Sequence, residues 1–179
     1  AKAGYYSYPR LTTTGTLSLD GQPRQVTGEL WYDRQWNCGS VNKRHIAWDW
    51  LSIQLDGTRD DLMLYAVHNK KTQELISGGS LFGPQGENRH LAQQDFQLEP
   101  LDYWQSPGTG RRYPARWRVQ VPSQGYDLTI EPLVPHQELS LNLFKALPNL
   151  NYWEGMCRVT GTQHGKPVTG NAYVEMTNR

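Results

Sequence analysis

Trp48-Asp49-Trp50-Leu51-Ser52-Ile53-Gln54-Leu55, closed by Asp56-Gly57, is the stretch on which the fold turns. Side chains along a strand point alternately to opposite faces. Asp49 then shares a face with Leu51, Ile53 and Leu55, the apolar and inward side, while Trp48 and Trp50 face the other way. Asp-Gly is a strong hairpin turn, and Leu62 to His68 resumes the pattern after it. The stretch therefore reads as a half-buried strand in an antiparallel sheet.

The same grammar runs outward in both directions. Thr12 to Leu19 ends at Asp20-Gly21 and Gln25 to Trp36 follows, a second hairpin signal. Gln73 to Phe82 stops at Gly83-Pro84, and Phe96 to Trp104 stops at Ser106-Pro107-Gly108. In Arg116 to Val121 the residues Trp117, Val119 and Val121 alternate with Arg and Gln. Tyr126 to Leu133, Asn151 to Thr160 and Val168 to Met176 bring the count to about ten strands. Only Gln137 to Ala146 reads as a short helix, ended by Pro148. The 28 Gly and Pro residues fall singly at turns, and no repeat or linker divides the chain, so residues 1–179 read as one domain. The spacing predicts an all-β sandwich or antiparallel barrel. A barrel closes its own edges and leaves an interior that side chains fill or that holds one small ligand.

Composition agrees and excludes several functions. Leu, Ile, Val and Phe make up about a fifth of the 179 residues, near the range of disordered chains. The net charge is only +1, however, and 20 aromatic residues supply much buriable area. Eighteen basic residues against 17 acidic ones leave no clustered excess for nucleic acid. No apolar run approaches the roughly 20 residues that a membrane-spanning helix needs. Cys38 and Cys157 are too few for a disulfide framework or a zinc site; they pair with each other across a long loop or stay as two buried thiols. The chain opens AKAGYYSYPRL, with neither Met nor an apolar signal, and reads as a processed product or a piece.

Several catalytic signatures are missing. Ser80 lies in GGSLFG without the second glycine of a nucleophile elbow. Gly108-Thr109-Gly110 continues as Arg-Arg-Tyr, neither a dinucleotide fingerprint nor a phosphate loop. The five histidines show no metal-ligand spacing, so neither metal nor cofactor is expected. Asp49 stands out instead. A carboxylate on an apolar face is costly unless hydrogen-bonded or protonated, which makes Asp49 a candidate proton donor or else a residue bonded at a barrel mouth. Trp48 and Trp50 point outward, to be covered by a further domain or by the chain's own segment around Gln137 to Leu147. Asp33-Arg34-Gln35-Trp36 offers a polar cluster at a rim or a simple strand end. In Tyr152-Trp153-Glu154-Gly155, Glu154 is half-buried or a solvated edge acid. Arg111, Arg112, Arg116 and Arg118 read as a solvated face.

The stretches YYSYPRL, GELWYDRQW, AWDWLSIQLDG, LMLY, DFQLEPLDYWQSP, TGRRYP, DLTIEPL, QELS, NYWEGMCRVTG and PVTGNAYVEMT together resemble the carotenoid hydratase family. This is the hydroxyneurosporene synthase group, with the related AttH-type exported proteins. The resemblance runs from about Tyr5 to Thr177. It implies two consecutive lipocalin-like barrels, of which this chain is similar to the second. It also implies a hydrophobic small-molecule partner, a preceding barrel of the same parent protein, and a periplasmic or secreted location. The family's Trp-Asp-Trp motif matches Trp48, Asp49 and Trp50, and its acid-then-aromatic motif matches Asp33 and Trp36. Where the family commonly has His after that acid, this sequence has Arg34, which cannot shuttle a proton.

Two functional expectations follow. The first is a binder of an elongated apolar molecule, isoprenoid or acyl, with Trp36, Trp48, Trp50, Tyr65, Tyr152 and Trp153 as ligand contacts. The second is a hydratase that protonates an alkene from Asp49, with Asp33 and Glu154 as further acids. Tyr65, Trp36 or Trp153 would then stabilise the carbocation through their ring faces.

Overall fold

The computed structural model describes residues 3–37, 45–141 and 150–177. The chain forms two compact units, Ala1–Val41 and Asn42–Arg179. The first is a long hairpin of β1 (Gly4–Leu19) and β2 (Gln22–Trp36), in register from Leu19↔Gln22 to Gly4↔Trp36 with a shift between Tyr8 and Leu11. Asp20 and Gly21 have φ of 50° and 75°, the left-handed pair that matches the twist of a two-residue hairpin.

The second unit is one antiparallel sheet of ten strands. They are β3 (Ile46–Leu55), β4 (Asp61–Asn69), β5 (Glu74–Phe82), β6 (Asn88–Ala92), β7 (Gln97–Gln105), β8 (Arg112–Val121), β9 (Tyr126–Pro132), β10 (Glu138–Leu141), β11 (Leu150–Gln163) and β12 (Lys166–Thr177). The main path runs β6-β5-β4-β3-β12-β11-β9-β8-β7, with β10 paired to β11 beside it. Its two edges, β6 and β7, are joined by only the short 3₁₀ turn Gln93–Asp95. A path whose edges are neighbours in the chain must curl back on itself, which gives the lipocalin-like half-barrel.

The inside of the curl is filled by side chains. On β3, Ala47, Asp49, Leu51, Ile53 and Leu55 are buried and face inward, as period two requires. Leu62 and Leu64 of β4, Val119 and Val121 of β8, and Leu128 and Ile130 of β9 meet them, packed around Trp117 and Tyr113. Each such aliphatic side chain contributes about 1.5–3 kcal/mol on burial.

Three segments differ from the sequence reading. Glu138–Leu141, expected as the start of a helix, is β10, because pairing with β11 at Leu139↔Tyr152 overrides local preference; residues 142–149 lie outside the described residues. β6 was not foreseen. β11 and β12 run on to a two-residue turn at His164-Gly165, with φ of 48° and 78°. The described helical residues are 3₁₀ only, at Gln93–Asp95, Pro122–Gln124 and His45, and among the described residues no helix is long and apolar enough to cross a membrane.

Candidate functional site

The start of β3 and the end of β4 meet at one mouth of the curl. Antiparallel register sets Ala47 opposite His68 and Asp49 opposite Ala66. Leu62, Leu64, Ala66 and His68 therefore line the inner face of β4, and His68 lies diagonal to Asp49, within reach of a long side chain. His68 Nε2 is 3.4 Å from Asp49 Oδ2. Asp49 is 1% exposed, whereas the His68 side chain is 39% exposed. The pair thus joins a buried carboxylate to an imidazole at the surface. His68 borders an open groove of about 370 Å³, which also takes in Ala47, Lys70, Glu74, Leu75 and Arg112. Arg112, from β8, stacks its guanidinium 3.8 Å above the Tyr103 ring.

The same row of cross-strand partners continues from Asp49 through Met176 and Trp153 to Glu138. Glu138 accepts hydrogen bonds from Ser106, from Thr109 Oγ1 at 2.6 Å and from the buried Tyr113 hydroxyl at 2.9 Å. Burial pushes the Glu138 carboxyl up; those three hydroxyls and the Arg111 charge more than offset it and hold the group below the usual carboxylate range. Trp104 stacks on Tyr113 at 6.1 Å, with His136 edge-on at 5.2 Å, and Trp153 Nε1 donates to the Pro135 carbonyl at 2.9 Å. Trp153 is the one aromatic of the proposed cation walls that faces into the second unit.

The remaining residues singled out in the sequence lie elsewhere. Trp48, Trp50, Tyr65, Tyr152 and Glu154 share the outer face of the sheet. There Trp48 Nε1 donates to Glu175 at 2.8 Å and its ring meets Tyr152 edge-on at 6.0 Å. Tyr65 stands opposite Trp50 and covers Gly78. Glu154 and Glu175 are direct cross-strand partners, and the Tyr173 hydroxyl donates to Glu154 at 3.2 Å. Burial, then the charges of Glu175 and Glu154, raises the Tyr152 hydroxyl. Asp33 and Trp36 belong to the hairpin. Asp33 Oδ1 accepts from Ser7 at 2.6 Å and from Trp31 Nε1 at 2.8 Å, and Trp36 lies over Gly4 beside Tyr6. Arg116 and Arg118 form ion pairs with Glu131 and Asp127 at 3.6 and 2.6 Å.

His68 and Glu138 were not read from the sequence. The signal for His68 was available: it ends the inward alternation Leu62, Leu64, Ala66. Glu138 was hidden by the helical reading of its segment. Among the described residues no three His, Cys, Asp or Glu side chains cluster as a metal site would. Cys157 is a buried free thiol, and Cys38 lies outside the described residues.

A curled antiparallel sheet with a filled centre and a polar mouth places the chain among all-β proteins of lipocalin-like fold. More specifically, it belongs to the AttH-like family, whose profile matches residues 1–179. An AttH protein from Nitrosomonas europaea is 30% identical, with a TM-score of 0.77 over 98% of this chain and 52% of its own. Kievitone hydratase from Nectria haematococca is 22% identical, with a TM-score of 0.74 over 97% of this chain and 52% of its own. CghA with Sch210972 is 12% identical at a TM-score of 0.53, over 92% of this chain and 50% of its own. The last two likenesses show the fold alone. The chain spans about half the length of these structures. No curated protein matches it in sequence.

Proposed function

We propose that this chain binds an elongated apolar molecule, isoprenoid or acyl in class, whose end lies in the groove beside His68. The observation that carries the reading is the Asp49–His68 pair, buried at one end and open to the groove at the other. Convergent polar groups beside apolar walls are typical of small-molecule sites, and about 370 Å³ falls within the usual pocket range of ~300–1,000 Å³. Ala47 and Leu75 supply apolar wall; His68, Lys70 and Arg112 would receive a polar or anionic end. The test is titration with a fluorescent polyene fatty acid and with farnesol. Saturable binding is expected, weakened at least about tenfold by Leu75→Asp, since a charge on that wall resists apolar contact. Equal binding by the variant and the unaltered chain contradicts the reading.

The same pair favours a second reading, acid-catalysed addition of water to an alkene. In that reading Asp49, as the acid, gives a proton to an alkene carbon, leaving a carbocation. Water adds to the cation, and the proton it sheds returns to the pair. Asp49→Asn should then keep ligand affinity but lower turnover by about 10²-fold or more. In heavy water each product molecule would carry one deuterium on carbon. Turnover unchanged by Asp49→Asn excludes this role.

A further inference from the structure

The hairpin turns at the two ends of the second unit differ in charge. At the His68 end, the β4–β5 turn (residues 69–74) and the β7–β8 turn (residues 106–112) carry Lys70, Lys71, Arg111 and Arg112 against Glu74. Two further acids at this end are engaged: Glu138 accepts from Ser106, Thr109 and Tyr113, and Asp49 is buried behind His68. At the other end, residues 56–60, 83–87 and 164–166 carry Asp56, Asp60 and Glu87 against Arg59 and Lys166. The β4–β5 turn also has an apolar flank. Leu75 and Ile76 follow one another in β5 and so point to opposite faces, yet they are 43% and 52% exposed. A strand end with both faces wet projects beyond the packed sheet. The turn itself is well bonded. Asn69 Oδ1 accepts from the Lys71 and Thr72 amides at 3.0 and 3.2 Å, and the Gln73 amide donates to the Asn69 carbonyl at 2.7 Å. Along the outer face behind this tip, Ile76 stands opposite Val67 and Val67 opposite Trp48, whose ring meets Tyr152.

We propose that the β4–β5 turn docks this chain on an anionic lipid bilayer, with Lys70 and Lys71 among the headgroups and Leu75 and Ile76 at the acyl boundary. Three observations select this partner. Basic charge is gathered at the same end as the exposed apolar pair, and binding at a bilayer surface draws on both. Lysine stems lie along apolar surroundings while their ammonium groups stay in water, so two lysines beside Leu75 and Ile76 suit a boundary between oil and water. Trp48 and Tyr152 stand on the outer face behind the tip, and their residue types favour the headgroup level. Leu75 also walls the groove beside His68, so docking would turn the groove toward the bilayer. What the groove would collect there rests on the binding reading given above; the docking does not. An acidic protein surface is the competing partner.

Co-sedimentation of the 179-residue chain with lipid vesicles tests this. The chain should pellet with vesicles of equal parts phosphatidylcholine and phosphatidylglycerol. It should pellet several-fold less with phosphatidylcholine alone, and less as added salt screens the lysines. Lys71→Glu should weaken binding to the anionic vesicles about tenfold or more, since it reverses a charge at the surface. Ile76→Ser should weaken it several-fold by removing apolar contact. Lys166→Glu, at the other end, should bind as the unaltered chain does. Lys71 and Ile76 are exposed and lie outside the groove lining, so both variants should keep the urea midpoint and the farnesol affinity of the unaltered chain. Vesicle binding without farnesol binding contradicts the groove reading and upholds the docking. No pelleting with anionic vesicles, equal pelleting with both kinds of vesicle, or an equal loss in Lys166→Glu overturns the docking. Full binding by Ile76→Ser overturns it as well, since that is how a charged patch made for an acidic protein would behave.

Discussion

At the scale of the residue, burial decides what each polar group can do. Asp49 was legible because it interrupts an alternating apolar face, and the structure sets it there with Ala47, Leu51, Ile53 and Leu55. The inward position of His68 was legible from the alternation Leu62, Leu64, Ala66, but its pairing with a carboxylate was not, because that depends on the cross-strand register that puts it beside Asp49. Burial also acts at Cys157, whose thiol is pushed from 9.0 up to about 12. The Tyr126 hydroxyl is likewise raised, first by burial and then by Asp60, its hydrogen-bond acceptor. The native protein keeps both protons where the unfolded chain begins to release them. Their contribution to stability is therefore complete below about pH 9 and is lost as pH rises toward 12. Urea unfolding between pH 7 and 11 should show falling stability above pH 9, with a slope shallower by up to one proton in Cys157→Ala. Stability constant to pH 11 would refute this.

At the scale of the element, pairing partners outrank local preference. β3, β4, β8 and β9 were legible because their period-two patterns are long and bounded by turn residues. β6, the five residues Asn-Arg-His-Leu-Ala, carries one inward apolar side chain and has no pattern to read. β10 lost out to a helical reading because Leu139 and Leu141 gain their meaning only from β11. Close approach between strands gives a direct test. A Cβ at Gly79 would lie 2.3 Å from the Met63 carbonyl oxygen of β4, so the two backbones would have to separate. Gly79→Ala should cost about 1–3 kcal/mol in urea unfolding, the usual penalty of forced overpacking. Gly28, in the hairpin, has nothing within 4 Å of the same position, and Gly28→Ala should fall within about 0.5 kcal/mol of the unaltered chain. Equal losses at the two sites would show that strand spacing does not limit the sheet at Gly79.

At the scale of the molecule, the curl leaves grooves at opposite ends of the second unit. One borders His68; the other, of about 390 Å³, borders His164 beside the β11–β12 turn. The filled centre between them would confine a guest to an end, and at the His68 end the buried carboxylate of Asp49 stands behind the imidazole. Strand count and turn spacing predicted an all-β sandwich or barrel; the lipocalin-like class came only with the family resemblance. Sequence could not say which end would be chemically equipped, because that depends on which strand ends the topology brings together. The two histidines make the comparison measurable. In side-chain imidazole NMR spectra, titration with farnesol or a polyene fatty acid should shift the His68 resonances and leave those of His164 in place. Shifts at His164 with His68 unmoved would contradict the assignment of the site to the Asp49–His68 mouth.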